Sequence, residues 1–190
     1  MLRVRPILFT PSFDDTVAQL LGLGLACVAN NGDRAEFDSE NGKVGVLREV
    51  PECRGTFLAF ELRDPAIFVR RTLADGTHAE LVETANGPGA RVIAPDGFSF
   101  DLAASTDLRI PEPGAPLAVV ATWRTPDPAA ANKVLADIGA KFVQDRADGG
   151  ALFRAKNGGF VATAAGGASG VELGIMDHGE TLTLGAGSVF

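Results

Sequence analysis

The chain has 190 residues, 46% of them apolar, and a formal charge of −7 at neutral pH. That is enough apolar side chain for one large or two small domains, and the acidic balance argues against a nucleic-acid partner, whose phosphates want a basic face. No apolar run approaches the roughly 18 residues that a membrane span needs, so no membrane partner is expected.

Residues 1–13 lack the apolar centre and small-residue cleavage site of a secretion signal. Cys27 and Cys53 are not spaced as a metal-binding pair and suit a reducing compartment, so a cytoplasmic setting is expected. There is no Tyr, which removes phenolic acid–base chemistry.

In chain order, residues 4–9 read as a strand with Arg5 inside it. Ser12 and Asp14 are candidate helix caps, Val17, Leu20 and Leu21 follow at helical spacing, and Gly22 and Gly24 stop the helix. Strands are expected at residues 25–29, 34–38 and 44–47, separated by Asn31-Gly32 and Asn41-Gly42 turns. The order is strand, helix, strand, strand, strand. It then repeats. Residues 57–62 form a strand, and Asp64-Pro65 starts a helix with Pro in the first turn, where its missing N–H costs nothing. Ile67, Phe68 and Leu73 supply the apolar stripe and Gly76 the stop, before a strand at residues 80–83. The unit closes with Val92 and Ile93, the turn Pro95-Asp96-Gly97, and the alternation of Phe98, Ser99, Phe100, Asp101 and Leu102.

Residues 109–116 hold three prolines and read as a linker. The pattern then starts a third time: a strand at residues 117–122, a helix start at Asp127-Pro128, an apolar face of Val134, Leu135 and Ile138, and a stop at Gly139. Strands follow around Phe142-Val143, Leu152-Phe153 and Phe160-Val161, and residues 171–176 open a fourth unit. The turns Asn41-Gly42 and Asn157-Gly158 lie 116 residues apart, and Asp64 and Asp127 lie 63 apart, spacing that argues for duplication. The expected fold class is α+β, built of repeated βαβββ units. Residues 1–108 form one domain of two units, 109–116 the linker, and 117–190 a second, incomplete domain.

The Pro95-Asp96-Gly97 hairpin with Asp101-Leu102 behind it, on this repeated plan, resembles the closing hairpin of the glyoxalase / bleomycin-resistance / extradiol-dioxygenase superfamily, the vicinal oxygen chelate fold. The resemblance implies a site on the concave face of the curved sheet. There the first strand of each unit supplies a His or Gln to a metal, and the last strand a Glu. Carried over one position at a time, the first strands offer Arg5, Phe57 and Val120. The last strands offer Val46, Asp101 and Ala162, and the opening strand of the fourth unit offers Glu172. The imidazoles are absent and Arg5 is a poor metal ligand. No cofactor is therefore expected, and the weaker metal candidates are Asp101, Glu172 and His178. His78 reads as a solvated turn residue.

If Arg5 faces the cavity, alternation brings Ile7 and Phe9 with it; Phe57 brings Ala59 and Glu61, and Asp101 brings Ser99. Trp123, the single Trp, ends the third unit's first strand and is a candidate platform for a bound ring. Arg5 and Asp101 are expected to face one another across the cavity. The function implied is metal-independent binding of a small molecule. The alternative is a divergent metal-dependent lyase, isomerase or dioxygenase. Residues 117–190 are expected to be buried against a second copy, giving a homodimer, or against the first domain.

Overall fold

The structure is a computed structural model that describes residues 1–85 and 87–189, with side chains described as far as 184. The first unit consists of β2 (Ile7–Thr10), α1 (Phe13–Gly22), β3 (Ala26–Asn30), β4 (Arg34–Asp38) and β5 (Lys43–Arg48). The second consists of β7 (Ala59–Leu62), α2 (Pro65–Asp75), β8 (His78–Thr84), β9 (Gly87–Ile93) and β10 (Ser99–Ala104). The third consists of β11 (Leu117–Thr125), α3 (Pro128–Asp137), β12 (Lys141–Asp145), β13 (Ala151–Arg154) and β14 (Phe160–Ala165). Two short strands, β1 (Leu2–Val4) and β6 (Gly55–Phe57), precede the first two units, and β15 (Gly170–Asp177) and β16 (Glu180–Val189) follow the third. This is the α+β architecture of repeated βαβββ units.

Each unit makes a sheet of one plan. The orders are β3-β4-β5-β2-β6, β8-β9-β10-β7-β1 and β12-β13-β14-β11-β15, the last extended by β16. In every case the first and last strands of the unit run parallel: β2 with β5, β7 with β10, β11 with β14. A fifth, antiparallel strand then closes the row. For the first two units that strand is exchanged, since β1 joins the second sheet and β6 the first. Residues 4–9 are thus not one strand. Pro6 cannot donate to a ladder, and the chain changes sheets at Arg5-Pro6. The expected strand at 57–62 likewise divides, between β6 and β7. β15 takes the fifth place in the third sheet, which is the role expected of a fourth unit's opening strand.

Local chemistry explains the helix ends. Asp64 and Asp127 accept hydrogen bonds from the N–H groups of Ile67 (2.9 Å) and Ala130 (3.0 Å), with Pro65 and Pro128 in the first turn. Such caps are worth about 1 kcal/mol each. Gly76 ends α2 at φ +100°, a conformation that favours Gly. Ser12 stands at the start of α1 but makes no side-chain cap bond. The duplication extends to irregularities. The outer strands β3 and β12 shift register between Cys27 and Ala29 and between Phe142 and Gln144, positions 115 apart.

One core runs through both halves of the chain. It contains Val4, Phe37, Phe60 and Leu102 from the first two units and Val119, Trp123, Leu135 and Val161 from the third. Trp123 stacks on Phe98 (ring centres 4.9 Å apart) and meets Phe100 edge-on. The third unit is thereby buried against the first two units within one chain, and Phe153 and Val161 are covered. No helix among the described residues is long and apolar enough to cross a membrane.

Candidate functional site

The strand period of two decides what the site contains. Ala35 and Phe37 on β4 are buried in the core, so Arg34, Glu36 and Asp38 face the other way. On β5, Val44 and Val46 are core residues, leaving Lys43 and Gly45 on that second face. On β7 and β10, Phe60 and Leu102 are buried, so Ala59 and Glu61 share a face with Asp101 and Ala103. Arg3 and Arg5 lie on the same side, because Arg3 is paired in register with Glu61.

The equivalent positions of the units can now be read from the ladders. Ile7 is opposite Gly45, Ala59 opposite Asp101, and Thr122 opposite Ala162. The first-unit counterpart of Asp101 is therefore Gly45 and not Val46. A shift of one residue turns a strand position to the other face, and Val46 is a core residue opposite Leu8. A Cβ at Gly45 would lie 3.4 Å from Arg5 Nη2 and 3.7 Å from Glu36 Oε2, in ordinary contact, so a long side chain there would press on both groups.

Arg5 lies against Gly45. Its Nε and Nη2 donate to Glu36 Oε1 (2.7 Å) and Oε2 (2.6 Å), a two-pronged pair with the arginine 4% exposed. Glu61 lies between two arginines. It accepts from Arg3 Nε (2.5 Å) and lies 3.7 Å from Arg5 Nε. Arg3 reaches on to Asp107 (2.6 Å), which also binds Lys43 (2.9 Å) and Ser105 (2.6 Å). Three cations and three carboxylates thus form one network. Burial alone would lower the Arg5 guanidinium, but its bonds to Glu36 and the charges of Glu36 and Glu61 outweigh this and hold it raised. Burial alone would raise the Asp107 carboxyl, but hydrogen bonds from Ser105, Lys43 and Arg3 hold it far below the usual carboxylate range. A cleft of about 450 Å³ opens over this network, between the first two sheets; Asn30, Arg34 and Ala103 complete its walls.

Arg5 and Asp101 do not form the expected pair. Asp101 is held by Arg91 on the neighbouring strand, with bonds of 2.7 and 2.9 Å, and those bonds raise the Arg91 guanidinium. Phe9 meets Phe57 edge-on at 5.3 Å, and Phe57 and Ser99 line a second cleft of about 380 Å³ beside Phe98. Ile7 and Ala59 lie between, on the same face of their strands as Arg5 and Glu61. Trp123 stands apart: it packs on Phe100, and Phe100 lies on the opposite face of β10 from Asp101. It is a core residue rather than a partner of the cleft.

Glu172 is clasped by Arg124 (2.6 and 3.2 Å) on the third sheet, and His178 is an exposed turn residue six positions along, at φ +46°. The two are separated by most of β15. Among the described residues no group of three or more His, Cys, Asp or Glu could hold a metal ion. Glu36, Glu61, Asp101 and Glu172 are each engaged by a guanidinium, which repels a cation and occupies the lone pairs a metal would use. The donor set does not fit a divalent metal.

Arg3, Glu36, Lys43, Arg91 and Asp107 were missing from the sequence expectation. The alternation of Arg34, Glu36 and Asp38 was the available signal for Glu36. Arg91 was legible from the hairpin, being cross-strand from Asp101. Nothing in the local sequence marked Asp107.

The likeness to solved structures is one of fold. The fold is similar to that of homoprotocatechuate 2,3-dioxygenase from Brevibacterium fuscum in complex with 3,4-dihydroxyphenylacetate, an extradiol dioxygenase, with a TM-score of 0.60, 15% identity, and coverage of 89% of this chain and 60% of that one. The Arthrobacter globiformis enzyme gives a TM-score of 0.56 at 15% identity, again covering 89% and 60%. This chain thus spans about 60% of the length of those two proteins. No family model matches the chain, and no curated protein matches it.

Proposed function

We propose that the cleft between the first two sheets binds a small organic molecule without a metal ion, in the manner of the glyoxalase / bleomycin-resistance type. The observation that carries this reading is the two-pronged Arg5–Glu36 pair over Gly45. It stands where the resemblance calls for metal ligands. Clefts with apolar walls and a few fixed polar groups suit small molecules, and here Ala29, Ala103 and Ala104 supply the apolar part of the lining. The two free cysteines support a cytoplasmic setting. The exposed Phe142 and Val143 on β12 support a homodimer, which light scattering at micromolar concentration tests.

The second reading, a divergent metal-dependent dioxygenase, lyase or isomerase, is favoured by the chemistry of the structural neighbours. Two measurements separate the readings. Protein purified without chelator is assayed for Zn, Mn, Fe and Ni. Thermal shift is then followed with a panel of planar aromatic small molecules, 3,4-dihydroxyphenylacetate among them, with and without Fe(II). The binding reading expects stabilisation of metal-free protein by a panel member, about 2.7 kcal/mol at a hundredfold excess over Kd, lost on Ala103→Trp, which fills the cleft. One metal equivalent per chain, removed by Asp101→Ala, together with ring opening of the catechol, would establish the enzyme instead.

A further inference from the structure

A different cleft, about 570 Å³, lies where α2 meets the end of α3 at the junction of the two halves. Its charge is unlike that of the rest of this acidic protein. Arg63, Arg71, Lys141 and Lys156 all line it, and all four are exposed. Most arginines and lysines of the chain are engaged by carboxylates, but none of these four belongs to the ion pairs among the described residues. They also converge. Burial, followed by the charges of Lys156, Arg71 and Arg63, lowers the amino group of Met1, at the mouth of the same cleft.

Three acids also line the cleft, and two of them have partners of their own. Asp64 caps α2 through Ile67 N–H. Asp137 accepts from Thr77 and Lys133, both at 2.5 Å. Asp75 is the remaining carboxylate in the lining. Between the cations the lining is apolar: Leu2, Leu62, Phe68 and Ile138, with Ile67 still 44% exposed. Asp64, Ile67, Phe68, Arg71 and Asp75 follow one another at helical spacing, so α2 presents Ile67, Phe68 and Arg71 to this space with an acid at either end of the stripe.

We propose that this cleft binds an amphiphilic organic anion, a carboxylate with an apolar chain. The head would sit among Arg71, Lys156, Arg63 and Lys141, and the chain against Ile67, Phe68 and Ile138. Unneutralised cations over an apolar floor favour such a molecule over an inorganic anion, which would leave the floor wet, and over a neutral one, which would leave the cations unanswered. The site is independent of the cleft over Arg5, so either can fail alone.

Calorimetric titration of the full chain with decanoate, and with 1-decanol as its uncharged counterpart, is the test. One decanoate per chain is expected, with 1-decanol at least about tenfold weaker, the scale of one lost charged hydrogen bond. Arg71→Gln with Lys156→Gln should weaken decanoate by about tenfold or more, while Arg70→Gln, outside the lining, should leave it unchanged. Melting temperatures confirm that the variants are folded; Arg63→Gln with Lys141→Gln replaces the first pair if it is not. Equal binding of decanoate and 1-decanol, no saturation by wild type up to about 1 mM, or a folded double variant that binds as wild type does would overturn the proposal. So would a dimer of the free chain that the double variant dissociates, because the cations would then serve a second copy.

Discussion

Asn41 and Asn157 stand 116 residues apart, yet each lends its side-chain oxygen to a main-chain N–H of the other half. Asn41 Oδ1 accepts from Gly159 (2.8 Å), and Asn157 Oδ1 accepts from Leu2 (3.0 Å). The main chain repeats the exchange, since Val119 N–H donates to the Asn41 carbonyl and Val4 N–H to that of Gly158. The duplicated turns are therefore the clasp between the halves, and β1 and β11 are what each one grips. Asn→Ala at either site removes the acceptor of a partly or fully buried N–H. Each should cost about 1–3 kcal/mol, read as a lower urea midpoint with unchanged slope.

The glycine beside each Asn is required for two reasons. Gly158 has φ +114°, and a Cβ on it would lie 2.7 Å from Gly42 N. Gly32, at φ +93°, has nothing within 4 Å of its added carbon. Gly32→Ala should cost about 1–2 kcal/mol, the backbone strain alone. Gly158→Ala should cost clearly more, because main chain must also move. Chemical denaturation of the two variants side by side makes the comparison.

The Arg5–Glu36 pair predicts a coupling. Arg5→Met alone leaves a poorly compensated carboxylate beneath the cleft and should lose about 3–5 kcal/mol. Adding Glu36→Leu should recover much of that, since an apolar pair of similar volume needs no partner. A double-mutant cycle in urea measures this, and simple additivity of the two losses would contradict a coupled buried pair.

Asp107 predicts an acid limb. Its folded value is depressed below the ordinary 3.8 by Ser105, Lys43 and Arg3 against the opposing effect of burial. A depressed carboxyl stabilises fully above its unfolded value, and that contribution is lost as pH falls through the folded one. Asp107→Asn should therefore be less stable than wild type at pH 7, with the gap closing below about pH 4. The side chain is 56% exposed, so solvent screening keeps the effect modest and added salt should shrink it. Thermal melts across pH 2–7 follow both trends.

Trp123 predicts a contrast between two truncations. Its ring is 1% exposed and its indole Nε1 has no hydrogen-bond partner among the described residues. Trp123→Ala should cost about 3–5 kcal/mol, through the cavity and the lost stacking on Phe98. Trp123→Phe keeps a ring against Phe98 and removes the unsatisfied N–H, so it should cost much less. Guanidinium unfolding of both variants, with the order reversed, would show that the indole nitrogen carries an interaction the packing does not.

Local chemistry determined a good part of this protein. Asp64-Pro65 and Asp127-Pro128 start helices because cap and ring act within one turn. The Asn-Gly and Pro95-Asp96-Gly97 turns, the alternation along β4 and β10, and the spacing of the repeats gave the βαβββ plan for the same reason. Tertiary structure decided the rest. Whether Gly45 or Val46 faces the cleft depends on which residue of β5 lies opposite Ile7, and a one-residue slip inverts the answer. Arg5 finds Glu36 across two strands, where Gly45 leaves room, and Asp101 is taken by Arg91 before it can reach Arg5. Asp107 joins the network from a segment with no helix or strand, and Trp123 turns to Phe98 because the third unit packs its core face on the first two. Ion-pair partners are set by distances between strands remote in sequence, and no local pattern encodes those distances.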